Sequence, residues 1–350
     1  MNRRQLRAYL ELSAAMIIVG SIVVVSKVIT TTFPVFLAAA LRFAIASAVL
    51  LPLLFKTERG PPSLGKKDTC LLFLQAFAGN FLFSILLLYG LKLTSTAESG
   101  IILGTVPVVI GLLSFLLLRE PLTRNKGIAL LVATVGVGVI SGIGTAPSVG
   151  HGANPLLGNV FVFGAVIGEA LWTILGKAVS DKVTPLTIAS LTSCFGLVLF
   201  APLAMYQARS FNFVTVDPLS WAVMVYYGLG TVGAYLLWYQ GVSKVPASTA
   251  GAFTGIQPVS AVVLSNLLLK EPMVWSYWLG IGSVLSAIVL MVRTASASRK
   301  VEELETVNRR ETSDKHLSAF GQRRNAEDQA RIVDLSHEPT YDGSHRHGCS

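Results

Sequence analysis

The chain alternates long apolar runs with short polar breaks. Ten runs can be read, at roughly 9–29, 34–55, 70–91, 97–118, 127–144, 156–176, 185–206, 219–240, 248–269 and 275–293. Most approach the ~20 residues that a helix needs to cross a bilayer. Backbone polar groups in lipid must bond within their own segment, so the runs predict an all-α membrane protein with ten transmembrane helices. The fifth run is short and rich in glycine, which leaves its ends open. The breaks carry the Pro, Gly and Asn of turns. The longer ones lie at 57–69, 145–155 and 207–218, and none has room for a catalytic domain.

One run recurs. Residues 100–121 read GIILGTVPVVIGLLSFLLLREP, and residues 251–272 read GAFTGIQPVSAVVLSNLLLKEP. At a constant offset of 151, Gly100, Gly104, Pro107, Val108, Ser114, Glu120, Pro121 and four leucines match their partners, and Gly90 matches Gly241. Leucines align by chance in any two apolar helices. Two glycines, a proline and a Glu-Pro exit in register do not, and such internal repeats set an architecture. Lys27 matches Lys177 at an offset of 150, and Pro34 matches Pro185 at 151. The chain therefore divides into an N-terminus (1–8), a first five-helix repeat (9–144), a second (156–293) and a tail (294–350). Five crossings is an odd number, so the second copy enters from the opposite side. Two inverted five-helix repeats are expected, a plan of secondary transporters that puts the substrate site at the repeat interface.

Composition agrees. Hydrophobic residues make up 52% of the chain and charged ones 13%, with a mean hydropathy of +0.62. A soluble domain carries about 25% charged residues. The net charge of +9 belongs to the apolar part, because the tail holds 9 Lys and Arg against 10 Asp and Glu. With the N-terminus in the cytoplasm, 14 basic residues fall on the inner side and 4 on the outer. The positive-inside rule then places both termini in the cytoplasm of a multi-pass cell (inner or plasma) membrane protein. Charges spread over short loops speak against a nucleic-acid partner. Arg3, Arg4 and Arg7 before the first run resemble a signal peptide, but no small-residue cleavage site follows, so the run is expected to stay as the first helix. Cys70, Cys194 and Cys349 are too scattered for a disulfide framework or a metal site, and no cofactor is called for. In the tail, SRKVEELETVNRRE suits one exposed amphipathic helix. The remainder, with His345, His347 and Cys349, reads as a disordered polar terminus.

Ionisable groups inside apolar spans are costly, which makes each a candidate for function. Arg42, in the second run, can snorkel or face a cavity and attract an anion; its counterpart is Ser193, so any role is asymmetric. Glu169 lies deep in the sixth run beside Gly168 and near Trp172. It can carry a proton, pair with a substrate amine, or hold Lys177, eight residues and about two turns on. Its other reading is a buried polar group bonded to a neighbouring helix. Glu98 suits the positive end of the fourth helix. Pro107 and Pro258 each remove an intrahelical bond and crowd the carbonyl of Leu103 or Thr254, which predicts paired kinks. Matched breaks in two halves point to a transporter site. Gln257 adds a polar group beside the second break. Asn80, Tyr235, Trp238 and Tyr239 can line the same cavity, although the last two also suit an interfacial belt. The Gly-xxx-Gly pairs read as close packing within the chain, with a homodimer contact as the alternative. Glu120 and Glu271 mark helix ends first and gates second.

The repeated Gly-xxx-Gly-xx-Pro run with its Leu-Leu-Leu-Arg/Lys-Glu-Pro exit resembles the EamA-type members of the drug/metabolite transporter superfamily, over roughly 10–141 and 157–292. Leu41-Arg42-Phe43 fits the first repeat of that family. The resemblance implies a ten-helix secondary transporter with a central cavity of alternating access. Members of the family often export amino acids or other small metabolites.

The expected function is therefore secondary transport, by export, of a small polar metabolite such as an amino acid. The expected partners are a small-molecule substrate, the lipid bilayer and a proton as coupling ion. Two alternatives stay open. One is a passive, channel-like facilitator. The other is a nucleotide-sugar or phosphate-ester antiporter, which needs several basic residues in the cavity, where only Arg42 and Lys177 qualify. A membrane-embedded enzyme is disfavoured, because all five histidines lie outside the runs and no paired Asp motif lies within them.

Overall fold

The computed structural model describes residues 3–58, 64–94, 96–140, 154–270 and 273–294. The Glu271-Pro272 exit, the break after Ile140 and the tail beyond Thr294 lie outside these residues. Ten long helical elements follow in order, with a short 3-10 turn (Phe213–Thr215) between the seventh and eighth. They are α1 (Arg3–Thr32), α2 (Val35–Glu58), α3 (Lys66–Leu93), α4 (Thr96–Leu103 and Val106–Leu118), α5 (Arg124–Gly138), α6 (Pro155–Ser180), α7 (Pro185–Ala208), α8 (Pro218–Val242), α9 (Ala247–Phe253 and Ile256–Leu269) and α10 (Trp275–Thr294). Among the described residues there is no strand, and nine helices (α1–α4 and α6–α10) are long and apolar enough to cross a membrane. α5 has 15 residues and is not among them.

Local sequence explains where the helices start and stop. Asn154, Thr184 and Asp217 each accept a hydrogen bond from the backbone N–H three residues on and stand before Pro155, Pro185 and Pro218. A polar cap followed by proline satisfies or removes donors that have no intrahelical partner. α4 breaks between Leu103 and Val106, and α9 between Phe253 and Ile256, next to Pro107 and Pro258. Both helices end in the same way. Arg119 and Lys270 take the left-handed conformation at φ 55°, and their N–H groups donate to the carbonyls of Ser114 and Ser265. The matched runs thus share a break and an exit, as the proline and Glu-Pro spacing predicts.

Packing repeats at the same offsets. α1 packs on α8 and α9, α6 packs on α3 and α4, and α2 packs on α7. A Cβ at Gly241 would meet Leu12 at 2.6 Å and the Ala8 carbonyl at 3.2 Å; one at Gly90 would meet Val162 at 2.7 Å and the Gly158 carbonyl at 3.1 Å. The second set is the first with the roles of the two halves exchanged, since 8 and 158, 12 and 162 differ by 150. In lipid, apolar surface gains little by packing inward, so close approach of small residues and hydrogen bonds between helices hold such a bundle together. Accordingly, leucines such as Leu116 (57% exposed) and Leu267 (67%) face outward, while Gly, Ala and Ser positions turn in. The largest fully buried side chains include Trp238, Tyr239, Phe33, Phe43 and Phe200. Trp238 and Tyr239 are therefore core residues and not an interfacial belt.

Candidate functional site

A cavity of about 370 Å³ lies between α1, α2, α3, α6, α8 and α9, with Phe200 of α7 on its wall. Along α1 its lining runs from Met16 to Thr30 and continues to Val35 and Phe36 at the start of α2. It therefore reaches the end of the bundle that carries the α1–α2 turn. The part of α1 before Met16 contributes nothing to it; Ala8, Leu12 and Ala15 there are fully buried.

The lining positions pair at the repeat offsets. Asn80, Phe83, Ser84 and Leu87 of α3 match Thr231, Ala234, Tyr235 and Trp238 of α8 at 151, and Val19, Ile22 and Val23 of α1 match Glu169, Trp172 and Thr173 of α6 at 150; all fourteen line the cavity.

The structure brings seven of the sequence candidates to this cavity: Arg42, Asn80, Glu169, Trp172, Tyr235, Trp238 and Gln257. It leaves Pro107, Pro258, Lys177 and Tyr239 outside the lining. Pro107 and Pro258 sit at the breaks of α4 and α9 and shape the backbone there; Thr254 in the α9 break and Gln257 beside Pro258 reach the lining. Lys177 turns away from Glu169 and pairs with Asp181 at 3.7 Å. Eight residues at about 100° each leave a side chain roughly 80° around the helix, so the expected common face does not hold.

Arg42 is held by aromatic groups. Its guanidinium lies 4.4 Å from the Phe43 ring centroid and 5.1 Å from that of Tyr227, and Nη1 donates to the Tyr227 hydroxyl at 3.4 Å. Its Nε is buried without an acceptor. Among the described residues neither Arg42 nor Glu169 has an ion-pair partner, and Glu169 has no hydrogen bond to protein. A cation and a carboxylate thus face one cavity, each without a counter-charge of its own.

Beneath the cavity lies a network that the sequence reading missed. Gln75, fully buried on α3, donates to the Trp172 carbonyl at 2.8 Å and to the Tyr239 hydroxyl at 3.0 Å, while Thr192 donates to its Oε1 at 3.5 Å. Four helices meet at this one amide. An amide inside an apolar run is itself a signal, and it was available in LLFLQAF.

The bundle end opposite the opening is tied shut. Glu11 accepts from Arg7 at 2.9 Å and from Lys244, and Tyr9 stacks on Phe253 with centroids 5.4 Å apart. Glu120 accepts from the N–H groups of Ala247 (2.7 Å) and Ser248 (3.1 Å) and from the hydroxyls of Ser248 (3.0 Å) and Ser114 (2.5 Å). It joins the end of α4 to the start of α9. Glu58 accepts from Thr184 and from Thr187 (2.8 Å), which joins α2 to α7. At the other end, Thr94 donates to Glu98 and to Asn159, so Glu98 stands in a contact between α3, α4 and α6.

Known proteins place this arrangement. The EamA-like transporter family matches the chain twice, at residues 6–142 and 156–293. The uncharacterized transporter YetK of Bacillus subtilis (strain 168) is 46% identical over 291 residues, covering 83% of this chain and 88% of that protein. The uncharacterized transporter YyaM of the same organism is 26% identical over 304 residues, covering 87% and 98%. A solved crystal structure aligns with a TM-score of 0.68 at 19% identity, over 83% of this chain and 98% of its own, a likeness of fold. Two matches across most of the chain, with a close transporter relative, settle the family: this chain belongs to the EamA-like transporter family.

Proposed function

We infer that the protein is a secondary active transporter that exports a small zwitterionic metabolite, such as an amino acid, by alternating access. The observation that carries the reading is that Arg42 and Glu169, of opposite charge, line one cavity and neither has an ion-pair partner among the described residues. A charge away from bulk water is expensive unless it is paired. A solute with a carboxylate and an ammonium supplies both missing partners at once, so its own desolvation and theirs are offset together. The volume of about 370 Å³ lies in the range of small-ligand sites, ~300–1,000 Å³. A phosphate ester would bring more negative charge than Arg42, the one lining cation among the described residues, can balance.

In this reading residues 9–144 and 156–293 are two five-helix repeats related by inversion, and α5 makes the tenth crossing. With the termini in the cytoplasm, the tied end faces inward and the cavity opens outward, the state from which an exporter releases its load. The return requires Glu11–Lys244 and the Glu120 contacts to part while the α1–α2 end closes. Glu169 exchanges the substrate ammonium for a proton, which couples export to the proton gradient. The test is Glu169→Gln in proteoliposomes. Wild-type transport should depend on pH and on an imposed proton gradient, and the variant should lose both the rate and that dependence. An unchanged rate and pH profile would refute the role of Glu169.

A further inference from the structure

α3 is not a uniform helix. Residues Phe77–Leu82 form a π turn, where the N–H of Phe83 donates to the carbonyl of Ala78, five residues back. π turns are rare and concentrate at functional sites. Here the turn solves a mismatch of spacing. Gln75 and Asn80 stand five residues apart, which in an α-helix puts them about 140° apart around the axis. Their partners Tyr239 and Tyr235 stand four apart on one face of α8. The wider turn brings both amides round to that face. Gln75 donates to the Tyr239 hydroxyl at 3.0 Å, and the Tyr235 hydroxyl donates to Asn80 Oδ1 at 3.0 Å. The Asn80 carbonyl is taken by the Ser84 hydroxyl at 2.6 Å.

What is left over is a set of donors. Asn80 Nδ2, Trp172 Nε1 and Trp238 Nε1 are buried and have no acceptor. The three residues are neighbours: Trp172 lies 5.7 Å from Trp238 and 5.6 Å from Tyr235, which in turn holds Asn80. All three line the cavity. A buried N–H without an acceptor is costly, and an oxygen on a bound solute would offset that cost.

We propose that Asn80, set in place by the π turn and by Gln75 behind it, reads an acceptor oxygen on the side chain of the transported solute, with the Trp172 and Trp238 indoles beside it. The inference rests on the zwitterion reading, in which Arg42 and Glu169 take the carboxylate and the ammonium. The site then prefers amino acids with a carbonyl or hydroxyl oxygen on the side chain over apolar ones of the same shape. Asn80 is the specificity-determining residue, and Gln75 positions it.

The test uses the full chain in proteoliposomes with two shape-matched pairs of labelled amino acids, asparagine against leucine and threonine against valine. Wild type should favour the oxygen-bearing member by about tenfold or more in rate over KM, the effect of one hydrogen bond left unmade. Asn80→Leu should erase the preference mainly through KM. Gln75→Leu should weaken it, raising KM for the oxygen-bearing members more than for the apolar ones. Equal handling of both members by wild type, or a preference that survives in Asn80→Leu, overturns the proposal. If no member of either pair is taken up, the zwitterion reading fails. The placement of Asn80 is then decided by Asn80→Cys in a background with Cys70, Cys194 and Cys349 replaced by serine. Modification by a small water-soluble thiol reagent upholds a cavity-facing position 80, and resistance to it removes the proposal.

Discussion

The two halves of the chain build matched walls around one cavity, and the walls differ in chemistry. Where α6 carries Glu169, Trp172 and Thr173, the matched positions of α1 carry Val19, Ile22 and Val23. Where α8 carries Tyr235 and Trp238, α3 carries Ser84 and Leu87. The cation goes the other way, since Arg42 on α2 faces Ser193 in the match. Backbone features repeat, including the broken helices, their left-handed exits and the glycine contacts. The charged and aromatic groups of the lining do not. Shape is thus carried by what the halves share, and, in the proposed function, recognition by what they do not.

The largest effect expected from breaking this comparison is at Arg42. Arg42→Leu should lower uptake about a hundredfold, as for a buried charge that loses its partner. Ser193→Ala, at the matched position, should change initial uptake less than twofold, although Ser193 is fully buried with a free hydroxyl.

The glycines sharpen the same contrast. Gly79 and Gly230 are matched at 151, and each presses on a matched lining residue. A Cβ at Gly79 would run into the Cβ of Trp172 and stand 2.7 Å from its Cγ, whereas one at Gly230 would stand 3.2 Å from the tip of Ile22. The end of an isoleucine can yield, but the root of a tryptophan cannot. Gly79→Ala should therefore cost about 1–3 kcal/mol of stability and disturb the aromatic cluster. Gly230→Ala should stay within about 0.5 kcal/mol. Melting of the purified proteins in detergent measures both.

The smallest effect concerns the helix starts. α8 is capped by Asp217, while α3 starts at Gly65 with no side-chain cap. The Ser220 hydroxyl and N–H hold the Asp217 carboxyl below the usual carboxylate range. A carboxyl lowered by folding adds stability above its unfolded value and loses it as pH falls through the folded one. Asp217→Ala should therefore lower the melting temperature slightly at neutral pH, and the difference from wild type should shrink as the medium is acidified below the carboxylate range.

Much of the fold was legible because glycine and proline have few uses in an apolar run. Gly100, Gly104, Pro107 and their partners predict the broken helices, and the structure has both breaks. Of the ten apolar runs, nine coincide with helices that are long and apolar enough to cross a membrane among the described residues, and the short fifth run does not. The site was legible only where a polar residue stood out against its run, as Glu169, Arg42, Asn80 and Gln257 do. Lys177 was misplaced because two turns is 7.2 residues and not eight. Gln75 and the π turn were missed because their meaning lies in partners on other helices: an amide spacing of five means nothing until it faces a tyrosine spacing of four.

The central claim is that Arg42 and Glu169 together hold a zwitterion whose passage is coupled to protons. Uptake of a labelled amino acid panel into proteoliposomes, with and without an imposed proton gradient, tests it most directly. Accumulation of at least one amino acid that collapses with the gradient is the expected result. Uptake of none of them, or uptake that never exceeds equilibrium under any gradient, would contradict it.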